Sequence, residues 1–388
     1  MNSTERFFVK CVDAGIKNSC VLTVDEGVDF KQLYNLCVSH SMCGVVLKAL
    51  EGVSDKLHER FWAGIQNSAR RHLMRDVLGE QDVTVLLSEF ENRGIKYLPL
   101  KGFHLKKLYP STEMRYASDF DILIDINQLK EVRRVVKDLN LEVKRFDEHH
   151  DVVYSPETKT VFELHKSVFV GKLSEFFGIG FERARLKDGY KCFYEFSVED
   201  FYISILAHSA YHFAESAGVG IRHLTDVYLY KNAYEIDYSY LDAELEKCGL
   251  LSFKNEFERL ADYFFNGAEA SEFTLKLADY VLESSLLANE RKQHASSVAS
   301  NGEEVDSKKA KKQALFRIFF PKLEVMKFIF PVLKKVIILL PFCYVYRWGQ
   351  VLFTRPKQIK KLKKVVEAEE KDIDEVKYIR KNLGINDL

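Results

Sequence analysis

Apolar residues recur at close to helical spacing from Phe30 to Leu50 and again from Asp55 to Arg93. In the second stretch Phe61, Ile65, Leu73, Val77, Val83, Leu86 and Phe90 mark one expected buried face. Residues 1–93 are therefore expected to form a helical bundle. It ends at Asn92-Arg93-Gly94, where glycine tolerates the left-handed backbone that stops many helices. Beyond it the pattern changes. Ile95 to Leu100 and Phe120 to Ile124 read as strands, separated by a short helix from Phe103 to Tyr109 and a loop at Pro110-Ser111-Thr112. Asn127 to Leu139 is the next helix, with Leu129, Val132, Val135 and Val136 on one side. Leu141 to Phe146, Val152 to Tyr154 and Thr160 to His165 supply three more strands. This alternation predicts a small mixed-sheet core within residues 94–196, densest over 94–170.

The remainder is helical in pattern. Phe181 to Tyr194 is a charged connector, and Val198 to Ala214 reads as a helix capped by Ser197. Amphipathic helices continue to about residue 287. Residues 288–312 are polar and serine-rich with little to bury, which predicts a mobile linker, and residues 313–388 return to amphipathic helices. The fold class is α+β: a small mixed sheet flanked by N-terminal and C-terminal helical regions.

Charge narrows the choice of partners. Fifty-seven basic residues balance fifty-seven acidic ones, so no net field draws the whole chain to nucleic acid. Seven scattered cysteines form no C-x-x-C pair, which argues against a disulfide framework or a structural zinc site and suits a reducing cytoplasm. The N-terminus lacks a charged-then-apolar signal pattern, so a cytoplasmic location is expected. Near the C-terminus, Val336 to Tyr346 is uncharged but short and contains Pro341, whereas a bilayer span needs about twenty apolar residues. Aromatic and basic residues over 313–364, including Lys334, Lys335, Arg347, Arg355, Lys357, Lys360, Lys361, Lys363 and Lys364, allow two readings. These helices either pack back on the protein, the preferred reading, or rest on an anionic membrane surface. Lys357 to Leu383 reads as a charged amphipathic helix suited to solvent or to an oligomer contact.

The candidate chemistry lies between Tyr97 and His165. Strand side chains alternate between faces, so Asp119 and Asp121 project to one side while Phe120 and Ile122 go to the other. Two carboxylates on one face suit a divalent cation such as Mg²⁺, which prefers hard oxygen ligands. The order strand, Lys101-Gly102, helix, Arg115, Asp119-x-Asp121 and a later strand bearing Glu163 resembles the polymerase-beta-like nucleotidyltransferase superfamily. More narrowly, L-K-G, then Y-P and R with D-x-D, then E-L-H, resembles a bacterial family of uncharacterised nucleotidyltransferases, whose members often carry helical segments on both sides of the core.

That resemblance implies transfer of a nucleoside monophosphate from a nucleoside triphosphate, ATP first among the candidates, with Mg²⁺ or Mn²⁺ held by Asp119, Asp121 and Glu163. Glu163 is implied as the third carboxylate and as an acceptor for the proton of the attacking hydroxyl. Lys101, Gly102, Arg115 and Ser118 are implied at the nucleotide. Better-studied members carry Gly-Ser where this chain has Gly102-Phe103, so Lys101 is expected to replace the missing hydroxyl. His165, His208 and Arg222 are placed on the acceptor side. His208 and His212 share a helix face but lack a third metal ligand, and Arg222 and Asp226 are spaced for an intrahelical ion pair. Arg70, Arg71 and Arg75 lie about one turn apart, either facing phosphate or solvated. The acceptor, whether a small molecule, a saccharide, a peptide or a protein, leaves no readable code, and nucleic acid is disfavoured for want of a basic, aromatic groove. Two other classes stay open. One is a nucleotide-binding regulator without turnover; the other is a membrane-surface adaptor working through the C-terminal helices.

Overall fold

Three short helices and one long one occupy the N-terminal region, and three of the four begin at a residue whose side chain caps them. Helix α1 (Ser3–Ile16) starts with a capping box in which Asn2 and Glu5 satisfy each other's backbone N–H groups. Asp29 caps α2 (Phe30–Ser39) by accepting from the backbone of Lys31 and Gln32. Helix α3 (Cys43–Ala49) packs so closely on α1 at Gly15 that a side chain there would meet the carbonyl of Val45. These contacts belong to a computed structural model that describes residues 1–116, 119–146, 149–169, 171–178, 180–216, 218–284, 290–299, 307–353, 365–386 and 388.

Helix α4 (Glu59–Asn92) has 34 residues and so is about 51 Å long. Phe61, Ile65, Val83, Leu86 and Phe90 are buried as expected, but Leu73 and Val77 are exposed. Ser68, Asp76 and Gly79 face inward instead. The reason is what the middle of α4 crosses: the buried Lys106 ammonium sits 2.8 Å from Asp76, and the ring of Phe120 lies against Gly79. A cationic neighbour requires a carboxylate there, and a close ring leaves no room for a side chain.

The sheet has five strands: β1 (Tyr97–Pro99), β2 (Phe120–Ile124), β3 (Glu142–Phe146), β4 (His150–Tyr154) and β5 (Val161–His165). Their order is β1-β2-β5-β4-β3, with β2 and β5 parallel and every other pairing antiparallel. Between β1 and β2 lies the short helix α5 (Gly102–Leu105), followed by a 3-10 turn at Lys106–Leu108. The crossover from β2 to β5 carries α6 (Leu129–Asp138) and the β3–β4 pair. Phe120, Ile122, Phe162 and Leu164 occupy one face of the sheet and pack against Val83, Leu86 and Phe90 of α4 and Val132 and Val135 of α6. Each such burial is worth about 1.5–3 kcal/mol, so the register that hides these residues also fixes what the opposite face presents.

After α7 (Lys172–Phe177), the expected connector contains a hairpin of β6 (Ala184–Leu186) and β7 (Tyr194–Phe196). Ser197 then accepts from Asp200 N at 3.0 Å to cap α8 (Val198–Ser216), and α9 (Ile221–Ala233), α10 (Tyr238–Lys247), α11 (Leu251–Phe265) and α12 (Glu272–Glu283) follow. The chain divides into two compact units, one comprising Met1–Ala210, Gly220–Leu286 and Leu388, the other Tyr211–Val219 and Leu287–Asp387.

The second unit contains α13 (Glu290–Ala299), α14 (Ser307–Phe319), α15 (Leu323–Ile329), α16 (Leu340–Phe353) and α17 (Glu370–Leu383). Within the polar linker expected over 288–312, residues 290–299 and 307–312 are helical. Helix α13 hides Ala295, Ser296 and Val298, and Arg291 pairs with Asp372 of α17 at 2.9 Å. Small and polar side chains hold it, which is why no apolar period announced it. Arg355, Lys357, Lys360, Lys361, Lys363 and Lys364 lie outside the described residues. Among the described residues, no helix is long and apolar enough to cross a membrane.

Candidate active site

The face of the sheet opposite the core is polar by register. Asp121 of β2 lies directly beside Glu163 of β5, and His165 of β5 beside His150 of β4. The His165 imidazole donates through Nε2 to Asp121 Oδ1 at 2.9 Å, and the same nitrogen is 3.6 Å from Glu163 Oε2. Ligating atoms of Asp121, Glu163 and His165 lie within 4.8 Å of one another, a spacing that a single divalent cation can bridge. Asp119, one strand period before Asp121, is half-buried at the entrance to β2. The cation-competent cluster thus includes His165, which the sequence reading assigned to the acceptor side.

Lys101 closes one side of this group. It stands at the turn from β1 into α5, where φ +10° and ψ −83° leave helical geometry, and Gly102 begins the helix. Its ammonium sits 3.1 Å from Asp121 Oδ2 and 3.1 Å from His208 Nε2. An ammonium can only donate, so His208 Nε2 accepts. His208 also stacks on His223, with ring centroids 5.8 Å apart. Among the described residues, His208 and His212 belong to no metal-ligand cluster.

Electrostatics drive the two facing carboxylates apart. Burial alone would raise the pKa of Asp121, but Lys101 and then His165 more than offset it and hold that carboxyl well below the usual range. Glu163 moves upward, first through burial and then through the negative charges of Asp121 and Asp119. Asp121 is therefore the fixed anion and Glu163 the better proton acceptor, a division of labour produced by environment alone.

Arg115 departs from expectation. Its Nε and Nη2 donate to the two carboxylate oxygens of Asp226 at 2.7 and 2.8 Å, and the Tyr109 hydroxyl donates to the same carboxylate at 2.9 Å. All three side chains are buried, so this guanidinium ties the loop before β2 to α9. The intrahelical pair expected between Arg222 and Asp226 is corrected for the same reason. Arg222 instead donates through Nη1 to the carbonyl of Tyr116 at 2.8 Å, while its buried Nε has no partner. Arg75 reaches the Tyr116 hydroxyl at 3.1 Å, Arg71 bonds Ser68, and His72 stacks on the Tyr116 ring. Ser118 lies outside the described residues.

Sequence reasoning missed His150, whose Nε2 is 3.8 Å from Glu163 Oε2 and accepts from Arg145. Its period-two spacing from Val152 and Tyr154 is the available signal, and β4 begins at His150, two residues before the expected start. A separate cavity of about 540 Å³ is lined by Lys10, Asp13, Phe265 and neighbours. Among the described residues, the group of acids and histidine that could hold a metal is on the sheet face.

A family model described as "Uncharacterised nucleotidyltransferase" matches residues 26–266. No curated protein and no solved structure matches the chain.

Proposed function

Because the chain belongs to this uncharacterised nucleotidyltransferase family, we propose that it is a Mg²⁺-dependent enzyme moving a nucleoside monophosphate from a nucleoside triphosphate, ATP being the first candidate, to an acceptor hydroxyl. The observation that carries the reading is the parallel register of Asp121 and Glu163 on one polar face of the sheet, with Lys101 at its edge. Asp121, Glu163 and Asp119 would hold the metal, and His165 suits the same cluster. Bound there, Mg²⁺ supplies positive charge for the phosphoryl oxygens of the donor. Lys101, whose ammonium lies at the edge of this cluster, would pair with a phosphate of the donor. Gly102 presents its backbone N–H with no side chain in the way. Glu163 would accept the proton of the attacking hydroxyl, and His165 fixes the orientation of Asp121. Arg222, with a buried N–H to spare beside the loop leading to Asp119, is the acceptor-side cation in this proposal.

Candidate acceptors are a small molecule, a saccharide, a peptide and a protein. Pyrophosphate release with nucleoside triphosphates and Mg²⁺ tests the reading: it should fall by about two orders of magnitude or more in Asp121→Asn and Glu163→Gln, with unchanged circular dichroism. Activity untouched by either substitution would remove these carboxylates from the reaction. A second reading rests on the Lys101–Asp121 ion pair, in which an ammonium already neutralises the principal metal ligand. A nucleotide-binding regulator built that way would bind nucleotide equally well with and without a chelator.

A further inference from the structure

Helix α16 in the second unit turns the usual arrangement of a water-facing helix inside out. Three of its hydrogen-bonding side chains point inward: Tyr344 donates to the carbonyl of Pro321, Arg347 to Ile318 and Trp348 to Phe319, each at 2.7 Å. These bonds satisfy carbonyls at and just beyond the C-terminal end of α14 and fix how α16 is seated. The residues left outside are apolar. Ile338, in the turn leading into the helix, is 78% exposed, Phe342 is 73% exposed, and Val345 and Tyr346 are each 62% exposed. Within the helix, Phe342, Val345 and Tyr346 are spaced i, i+3 and i+4 and so share one stripe, and Ile338 precedes it in the turn. Tyr346 lies 6.0 Å from the Phe330 ring, so the turn bearing the exposed Lys334 and Lys335 runs beside that stripe.

Charge identifies the occupant. Residues 307–353 contain ten Lys or Arg and one Glu, a net of +9, within a chain whose total is zero. A symmetric contact between two copies would bring two such surfaces together, which their charge opposes. An apolar stripe rimmed with lysines is what an anionic bilayer interface accommodates: side chains enter the acyl boundary while ammonium groups meet lipid phosphates. Spanning is not required, and among the described residues no helix is long enough for it.

We propose that this face of the second unit docks on an anionic lipid surface, with Ile338, Phe342, Val345 and Tyr346 inserted and Lys334 and Lys335 at the headgroups. This inference does not depend on the nucleotidyl-transfer reading. The test is flotation of the full chain with vesicles of phosphatidylcholine alone or containing about one-third phosphatidylglycerol. The intact protein should float with the anionic vesicles, less at high salt, and little with neutral ones. Ile338→Glu/Phe342→Glu alters only exposed positions, so it should keep its circular dichroism and lose flotation. Lys334→Gln/Lys335→Gln should weaken partitioning roughly 30-fold. An intact chain that stays with the anionic vesicles' infranatant at low salt overturns the proposal, as does a Glu double variant that still floats. A dimer dissolved by the same double variant, with no vesicle binding, would give the face to a second copy and overturn it equally.

Discussion

Replacing Arg115 with methionine distinguishes a structural arginine from a phosphate ligand. Asp226 accepts three hydrogen bonds in a buried site, two from Arg115 and one from Tyr109. Burial pulls the Arg115 pKa down, but Asp226 more than offsets it, so the guanidinium stays charged and paired at any working pH. Methionine keeps much of the side-chain volume and removes both donors, leaving a buried carboxylate with a single hydroxyl partner. Breaking one side of a buried ion pair costs about 3–5 kcal/mol, against about 0–1 for a surface pair. Arg115→Met/Asp226→Leu removes both charges and should recover at least half of that loss, since apolar replacements of buried pairs are often close to neutral. Tyr109 then retains Thr225 Oγ1, at 2.7 Å, as a partner. Urea denaturation followed by circular dichroism gives the stabilities, with pyrophosphate release measured in parallel. A single variant that loses less than about 1 kcal/mol while losing nucleotide turnover would refute the assignment and return Arg115 to the phosphate.

Other consequences follow from single contacts. Gly79→Val places a branched side chain against the Phe120 ring, 2.6 Å from the position of a Cβ, and should cost about 1–3 kcal/mol in urea denaturation; full stability would mean β2 is not held against α4 there. His40 is wholly buried, accepts from Ile221 N and donates to the Leu282 carbonyl, and burial lowers its pKa from 6.5 to about 4. The unfolded chain therefore binds the extra proton, so this stability is complete above pH 6.5 and declines as pH falls toward 4. Between pH 7.5 and 4.5 the loss is about 2.5 kcal/mol, and it should be absent from the pH dependence of His40→Gln. Lys101→Ala should weaken nucleoside triphosphate binding by about tenfold in calorimetry; unchanged affinity would confine Lys101 to Asp121. His165→Ala should lower Mn²⁺ affinity by about 10–100-fold, because Asp121 loses the group that orients it.

The match to an uncharacterised nucleotidyltransferase family agrees with the resemblance carried by L-K-G, D-x-D and E-L-H. Local pattern was enough for β2, whose bounds fall at Phe120 and Ile124 as read, and for the Ser197 cap of α8. Alternation in V-F-E-L-H put Glu163 and His165 on one face. It could not say that β5 lies parallel beside β2, because that pairing spans a helix and two strands. The partner of Arg115 was hidden for a similar reason: Asp226 is 111 residues away, and nothing local distinguishes it from Glu113. On α4 the apolar period continued through Leu73 and Val77, but the neighbouring Lys106 selected the other face. Helix α13 was missed because alanine, serine and valine seal it without a moment that a period search detects.

The account stands on Asp121 and Glu163 sharing a cation beside a triphosphate. Crystals grown with Mn²⁺ and a non-hydrolysable nucleoside triphosphate give the most direct measurement, through the manganese anomalous signal. The predicted result is a peak between those two carboxylates with the phosphates on the Lys101 side. Nucleotide bound elsewhere, or bound at this face with the metal away from Asp121 and Glu163, would contradict it.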